Sequence, residues 1–138
     1  MKKEHWINPE SNLIVEKYSK VINREHLDQL DGRLYNEMDK GRPLLHLADF
    51  TDATFFNLDY GEMADIFNDF LNRLGDNVGT KVAFYSGNND KDDLMKVSAF
   101  SKYETSKVQL KSFVELIDAV KWLELTQEDR QEIWKKLQ

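Results

Sequence analysis

The apolar positions of this chain switch repeatedly between a period of about two and a period of about 3.6, and each switch marks an element boundary. Residues 12–22 (NLIVEKYSKVI) read as a strand, the second arm of a hairpin. Its first arm is a short strand around Trp6, and Asn8-Pro9-Glu10-Ser11 forms the turn. Asn23 then offers a side-chain cap to a helix whose apolar stripe is Leu27, Leu30, Leu34 and Met38. Gly41 stops that helix and Pro43 prevents its resumption. Residues 44–50 (LLHLADF) are the next strand, a central one, followed by an acidic turn.

Asn57 or Asp59 can cap the following helix, which carries Met63, Ile66, Phe67, Phe70, Leu71 and Leu74 on one stripe. Gly75 and Gly79 bracket its exit. Residues 81–87 (KVAFYSG) form a buried strand ending in a Gly-Asn-Asn turn. A helix over about 90–103 has Leu94, Val97 and Phe100 inside, and residues 107–113 (KVQLKSF) alternate as the last strand. Residues 114–125 predict a helix with Leu116, Ile117, Val120 and Leu123 on one face. Thr126 and Asp129 make a capping-box pattern at the start of a final helix.

The order ββαβαβαβαα predicts an α/β fold: a mixed, mainly parallel sheet of four to five strands with right-handed crossovers and helices on both faces. The leading hairpin supplies an antiparallel edge. No linker, repeat or low-complexity segment interrupts the chain. Residues 1–138 are therefore expected to form one domain, with a core over about 6–123 and a helical extension over 126–138.

Composition narrows the function. A net charge of −6, with 19 basic against 25 acidic residues, disfavours binding to a phosphate backbone, so no nucleic-acid partner is expected. The absence of cysteine excludes disulfides, thiolate nucleophiles and cysteine-based metal sites. The amino-terminal MKKEHWINPE lacks the apolar run of a secretory signal. The longest apolar runs are far short of the roughly 20 residues that span a bilayer. A soluble, cytoplasmic protein without a membrane span is the expectation.

Four phrases in succession carry a resemblance. LIVEKYSKVINREHLDQL reads as strand, turn and first helix; LLHLADF as a central strand closing in an aspartate; KVAFYSG as a third parallel strand. KSFVELIDAVKWL is a closing strand and helix, an aromatic followed by an acidic, alanine-containing helix ending in Trp-Leu. Over roughly residues 6–123 this succession resembles the SpoIIAA-like group of STAS and SEC14-type bacterial proteins, relatives of anti-sigma-factor antagonists. Two features depart from it. Ser19-Lys20 stands where such proteins usually have a glycine before the first helix, and the tail after Leu125 is additional.

The resemblance implies a non-catalytic regulatory or protein-interaction module acting through the surface around residues 49–62. The alternative is a small apolar-ligand or lipid binder like the SEC14-type branch, and an enzyme comes third. STAS domains switched by phosphorylation carry a serine near the start of the helix after the central strand. Here the only hydroxyls are Thr51 and Thr54, among Asp49, Asp52 and Asp59, whose charges would repel a phosphate. Their expected roles are turn and cap.

The remaining chemistry is sparse. Asp49, Asp52, Asp59 and Glu62 lack the alternating spacing and central glycine of a calcium loop, so no metal is expected. His46, in the central strand without a nucleophile or glycine-rich phosphate loop nearby in sequence, reads as a structural histidine. No cofactor is expected. Aromatics are dense at the junction, at strand carboxyl ends where ligand crevices form in open α/β sheets. They serve either the core or a binding surface. The candidate ligand or partner surface comprises Asp49, Phe50, Thr51, Asp52, Thr54, Phe55, Phe56, Asn57, Tyr60 and Tyr85. A pocket between Phe55, Tyr60 and Tyr85 would favour a ligand, and a flat surface there would favour a protein. In the tail, Ile133, Trp134 and Leu137 form a narrow apolar stripe that must pack on something. A homodimer is one expected consequence.

Overall fold

A computed structural model describes residues 2–23, 37–39, 41–55, 59–74, 79–87 and 91–137. Its centre is a five-stranded sheet in the order β1-β2-β3-β4-β5. Strand β1 (Lys2–Asn8) runs antiparallel to β2 (Leu13–Ile22), giving the expected hairpin edge. Strands β3 (Leu45–Phe55), β4 (Thr80–Tyr85) and β5 (Val108–Phe113) continue parallel to β2. The described helices are α1 (Tyr60–Leu74), α2 (Lys91–Ala99), α3 (Leu116–Leu123) and α4 (Gln127–Leu137). A 3₁₀ turn at Phe100–Tyr103 extends α2. None of the described helices is long and apolar enough to cross a membrane.

The strand order explains the layering. Parallel strands added one after another in a single direction through right-handed crossovers place every crossover on the same sheet face. The core cluster on that face joins Ile14, Tyr18, Phe50, Val82 and Leu110 to Leu71 of α1 and Val97 and Ala99 of α2. The other face is left to whatever follows β5. There Leu13, Val15, Leu47 and Ala83 pack on Leu116, Ala119, Val120 and Leu123 of α3 and on Ile133 of α4. Helices thus cover both faces, and the added tail seals the second one.

Local chemistry sets the element ends. Asp59 Oδ1 accepts the Glu62 amide at 2.8 Å, so Asp59 caps α1. Thr126 Oγ1 accepts the Asp129 amide at 3.2 Å, one half of the expected capping box. The Asp129 carboxylate instead takes the Asn8 side-chain amide at 2.7 Å, fastening α4 to the hairpin. Ile133 is fully buried, and Trp134 and Leu137 pack against the same cluster. The tail's stripe therefore packs within its own chain, which removes the reason it offered for a second subunit.

Three sequence readings need correction. Strand β3 continues to Phe55 rather than ending at Phe50, so Thr51, Asp52 and Thr54 lie in a strand and not in a turn. The register explains why: Lys17 faces Asp49 but Ser19 faces Asp52, so two residues of β3, Phe50 and Thr51, oppose the single residue Tyr18 of β2. The extra residue flips the alternation, with Ala48 and Phe50 facing the core before it and Ala53 and Phe55 after it. A period-two pattern read along the chain breaks at that point. Ile117, expected on the inner face of α3, is 49% exposed. At 100° per residue it falls outside the arc spanned by Leu116, Ala119, Val120 and Leu123. The helix expected over 90–103 is an α-helix only to Ala99. The helix expected after Asn23 lies outside the described residues, although Met38 joins the core.

Candidate functional site

The carboxyl ends of the parallel strands hold two distinct groups of side chains, one on each sheet face. On the α3 face, Lys17, Asp49 and Tyr85 occupy one row across β2, β3 and β4. Asp49 is fully buried. Its Oδ1 accepts the Thr51 amide at 2.8 Å, holding the bulge in shape, while Oδ2 has no hydrogen-bond partner among the described residues. Burial pushes the Asp49 carboxyl above the usual carboxylate range, opposed by the Thr51 hydrogen bonds and the Lys17 charge. Lys17 pairs with Asp52 at 3.3 Å. Burial likewise raises the Tyr85 hydroxyl, assisted by the charges of Asp49 and Glu115. Gly87 closes this corner with φ 59°, and a Cβ there would meet Thr51 Cγ2 at 2.8 Å.

The aromatic residues divide differently. Phe50 stacks on Tyr18 with ring centroids 4.9 Å apart and lies 5.4 Å from Phe55 and 6.2 Å from Phe84. Phe50 and Phe55 are buried and belong to the core on the crossover face, which removes them from the candidate surface. Asp49 leaves it because it is fully buried on the α3 face. Asp52, Thr54 and Tyr60 are exposed, Thr51 and Tyr85 half-buried, and Phe56 and Asn57 lie outside the described residues. The eight described candidates therefore do not form one surface.

His46 also faces the crossover-side core. Its Nε2 sits 2.6 Å from Glu16 Oε1, and both residues are buried. A buried pair of this kind carries a desolvation cost that offsets much of its attraction. Sequence reasoning placed His46 as structural but missed its partner. The signal was present: Glu16 occupies an inward position between Ile14 and Tyr18. Among the described residues no group of three His, Cys, Asp or Glu side chains is arranged to hold a metal ion.

A cleft of about 590 Å³ opens at the carboxyl ends of β4 and β5, on the crossover face beside α2. Tyr60, Met95 and Val114 form its apolar rim, Ser86, Ser98, Ser101 and Ser112 contribute hydroxyls, and Lys102 supplies the single charge among the described lining residues. Of the described lining residues, Tyr60 alone belongs to the candidate set. The rule that crevices form at strand carboxyl ends pointed to the correct edge of the sheet. The density of aromatics drew attention to β3, whereas the opening lies between β4, β5 and α2.

No protein-family model matches the chain, and no curated protein sequence does. A solved structure does resemble it: an uncharacterized protein of the DUF3478 family with a SpoIIAA-like fold, from Shewanella loihica PV-4. The two share 16% identity at a TM-score of 0.56, over 88% of this chain and 93% of that one. The chain thus has the SpoIIAA-like fold that its strand and helix order resembles.

Proposed function

We propose that this chain is a non-catalytic binding module on a SpoIIAA-like fold, and that it takes a small, largely apolar ligand in the cleft at the ends of β4 and β5. One observation carries the reading. Five large apolar side chains stand most exposed among the described residues, and three of them, Tyr60 (49%), Met95 (53%) and Val114 (49%), line this one cleft. Apolar side chains scattered singly over a surface need no explanation, but a cluster around a concavity does. The volume falls in the range of about 300–1,000 Å³ in which small molecules are held. The hydroxyls of Ser86 and Ser101 donate to the carbonyls of Phe113 and Ser98, which favours a positioning role over a nucleophilic one.

A regulatory contact with another protein is the second reading, supported by one feature. Beyond Asp49, strands β2 and β3 continue as a pair past the end of β4, and this arm exposes Val21 and Thr54 side by side.

Titration with the neutral apolar dye N-phenyl-1-naphthylamine tests the first reading. Ser98→Trp fills the cleft from the exposed side of α2. It is expected to abolish the dye's fluorescence rise while leaving the circular dichroism and melting temperature unchanged. Equal dye signal in both proteins, or none in either, would refute the cleft as a ligand site.

A further inference from the structure

Building on that reading, we infer that the cleft recognises an amphipathic monoanion: a single carboxylate head on an apolar body. The ten described residues lining it include no acid, although acids outnumber bases in the chain by 25 to 19. Among the described residues lining it, Lys102 is the one that carries a charge. The Lys102 ammonium stands 5.8 Å from the centre of the Tyr60 ring, which holds it across the apolar rim instead of leaving it free in solvent. Among the described residues no carboxylate pairs with it.

The hydroxyls divide into two classes. Those of Ser86 and Ser101 are committed to backbone carbonyls at 3.2 and 2.9 Å. Those of Ser98 and Ser112 make no hydrogen bond among the described residues and remain available to the second carboxylate oxygen. A positive charge with two free hydroxyl donors suits one carboxylate, whose two oxygens accept several hydrogen bonds. One lysine neutralises one charge, so a dianionic phosphate would keep an uncompensated charge in a partly apolar cleft. Tyr60, Met95 and Val114 then cover the ligand's apolar body.

Calorimetric titration of the full-length protein with decanoate, decanol and decyl phosphate, each below its micelle concentration, separates the alternatives. A hydrogen-bonded charge in a half-enclosed site predicts decanoate binding about tenfold tighter than decanol. Lys102→Met should bring the two within about twofold of each other by weakening decanoate alone, and Lys102→Arg should retain the preference. Lys102 is exposed, so both variants are expected to fold, and decanol binding serves as the check on each. Equal binding of decanoate and decanol by the wild-type protein would overturn the assignment of the head and leave the cleft as a ligand site. Decyl phosphate binding more tightly than decanoate would overturn the monoanion. Failure of all three ligands to bind would remove the proposed function together with this inference.

Discussion

The two edges of the parallel sheet use similar residues to opposite ends. At the amino edge, Asn12 is buried in the left-handed conformation at φ 55°. Its side chain reaches the carbonyls of Asp39 (3.0 Å), Arg42 (3.3 Å) and Pro43 (3.1 Å) and accepts the Asp39 amide at 2.9 Å. Arg42 donates to the carbonyls of Pro9 and Glu10. Polar groups there stitch the hairpin turn to the approach to β3 and to the tail. At the carboxyl edge, an Asp49 oxygen and two serine hydroxyls have no partner among the described residues, and a cleft opens. Two aspartates show the contrast. The Gly41 amide, followed by Arg42, holds the exposed Asp39 carboxyl below the usual range, whereas burial holds Asp49 above it. The amino edge commits Asn12, Asp39 and Arg42 to holding chain segments together, although Ser11 Oγ and Asp129 Oδ2 make no hydrogen bond among the described residues. The carboxyl edge opens into a cleft lined by hydroxyls.

The largest break in this contrast is removal of the tail. Truncation after Leu125 deletes the buried Ile133, the packed Trp134 and the Asp129 contact to Asn8. It is expected to cost on the order of 5 kcal/mol as an upper figure, read as a large drop in the denaturation midpoint. A truncated protein of unchanged stability would show that α4 is not part of the fold's support.

Next comes Asn12→Ala, which removes the partner of the Asp39 amide and of three carbonyls in part-buried hydrogen bonds and places alanine at positive φ, for a loss of about 3 kcal/mol. Its counterpart at the other edge, Ser112→Ala, should change stability by no more than about 0.5 kcal/mol. Comparable losses at both sites in urea denaturation would erase the distinction between the edges.

The aspartate pair gives opposite pH signatures. A raised folded pKa means that the folded state holds its proton longer, so the Asp49 penalty grows as pH rises from the ordinary value of 3.8 through the folded value. Asp49→Asn should therefore gain in melting temperature relative to wild type between acidic and neutral pH. Asp39 behaves inversely. Its stabilisation is present above 3.8 and fades as pH falls through its lowered folded value. The deficit of Asp39→Asn should accordingly shrink on acidification. Parallel pH profiles for the two variants would contradict the assigned environments.

The smallest effect is expected at Lys20, which adopts φ 67° close to the bulge. The SpoIIAA-like resemblance anticipated glycine at Ser19-Lys20, and the backbone there has the conformation that glycine tolerates best. Lys20→Gly should stabilise by about 0.5 kcal/mol, the relief of left-handed strain offset by glycine's entropy. A destabilised variant would show that lysine's contacts outweigh that strain.

Periodicity along the chain was sufficient for the succession of strands and helices, and that succession with the handedness of crossovers was sufficient for a mixed sheet covered on both faces. Turn and cap residues were legible for the same reason, since Pro9, Asp59, Thr126 and Gly79 act within a few residues of themselves. Other features depended on partners distant in sequence. The bulge in β3 exists because β2 fixes the register, and it carried Thr51, Asp52 and Thr54 from an expected turn into a strand. Glu16 found His46 because Ile14 and His46 are in register, a pairing that no local window contains. Phe50 and Phe55 went to the core, while Tyr60, Met95, Lys102 and Val114 met at a cleft assembled from separate stretches of chain. Propensity acts over three or four residues, whereas burial, register and concavity arise where distant segments meet. Only the folded chain decided which polar groups were consumed in holding the sheet together and which were left to bind.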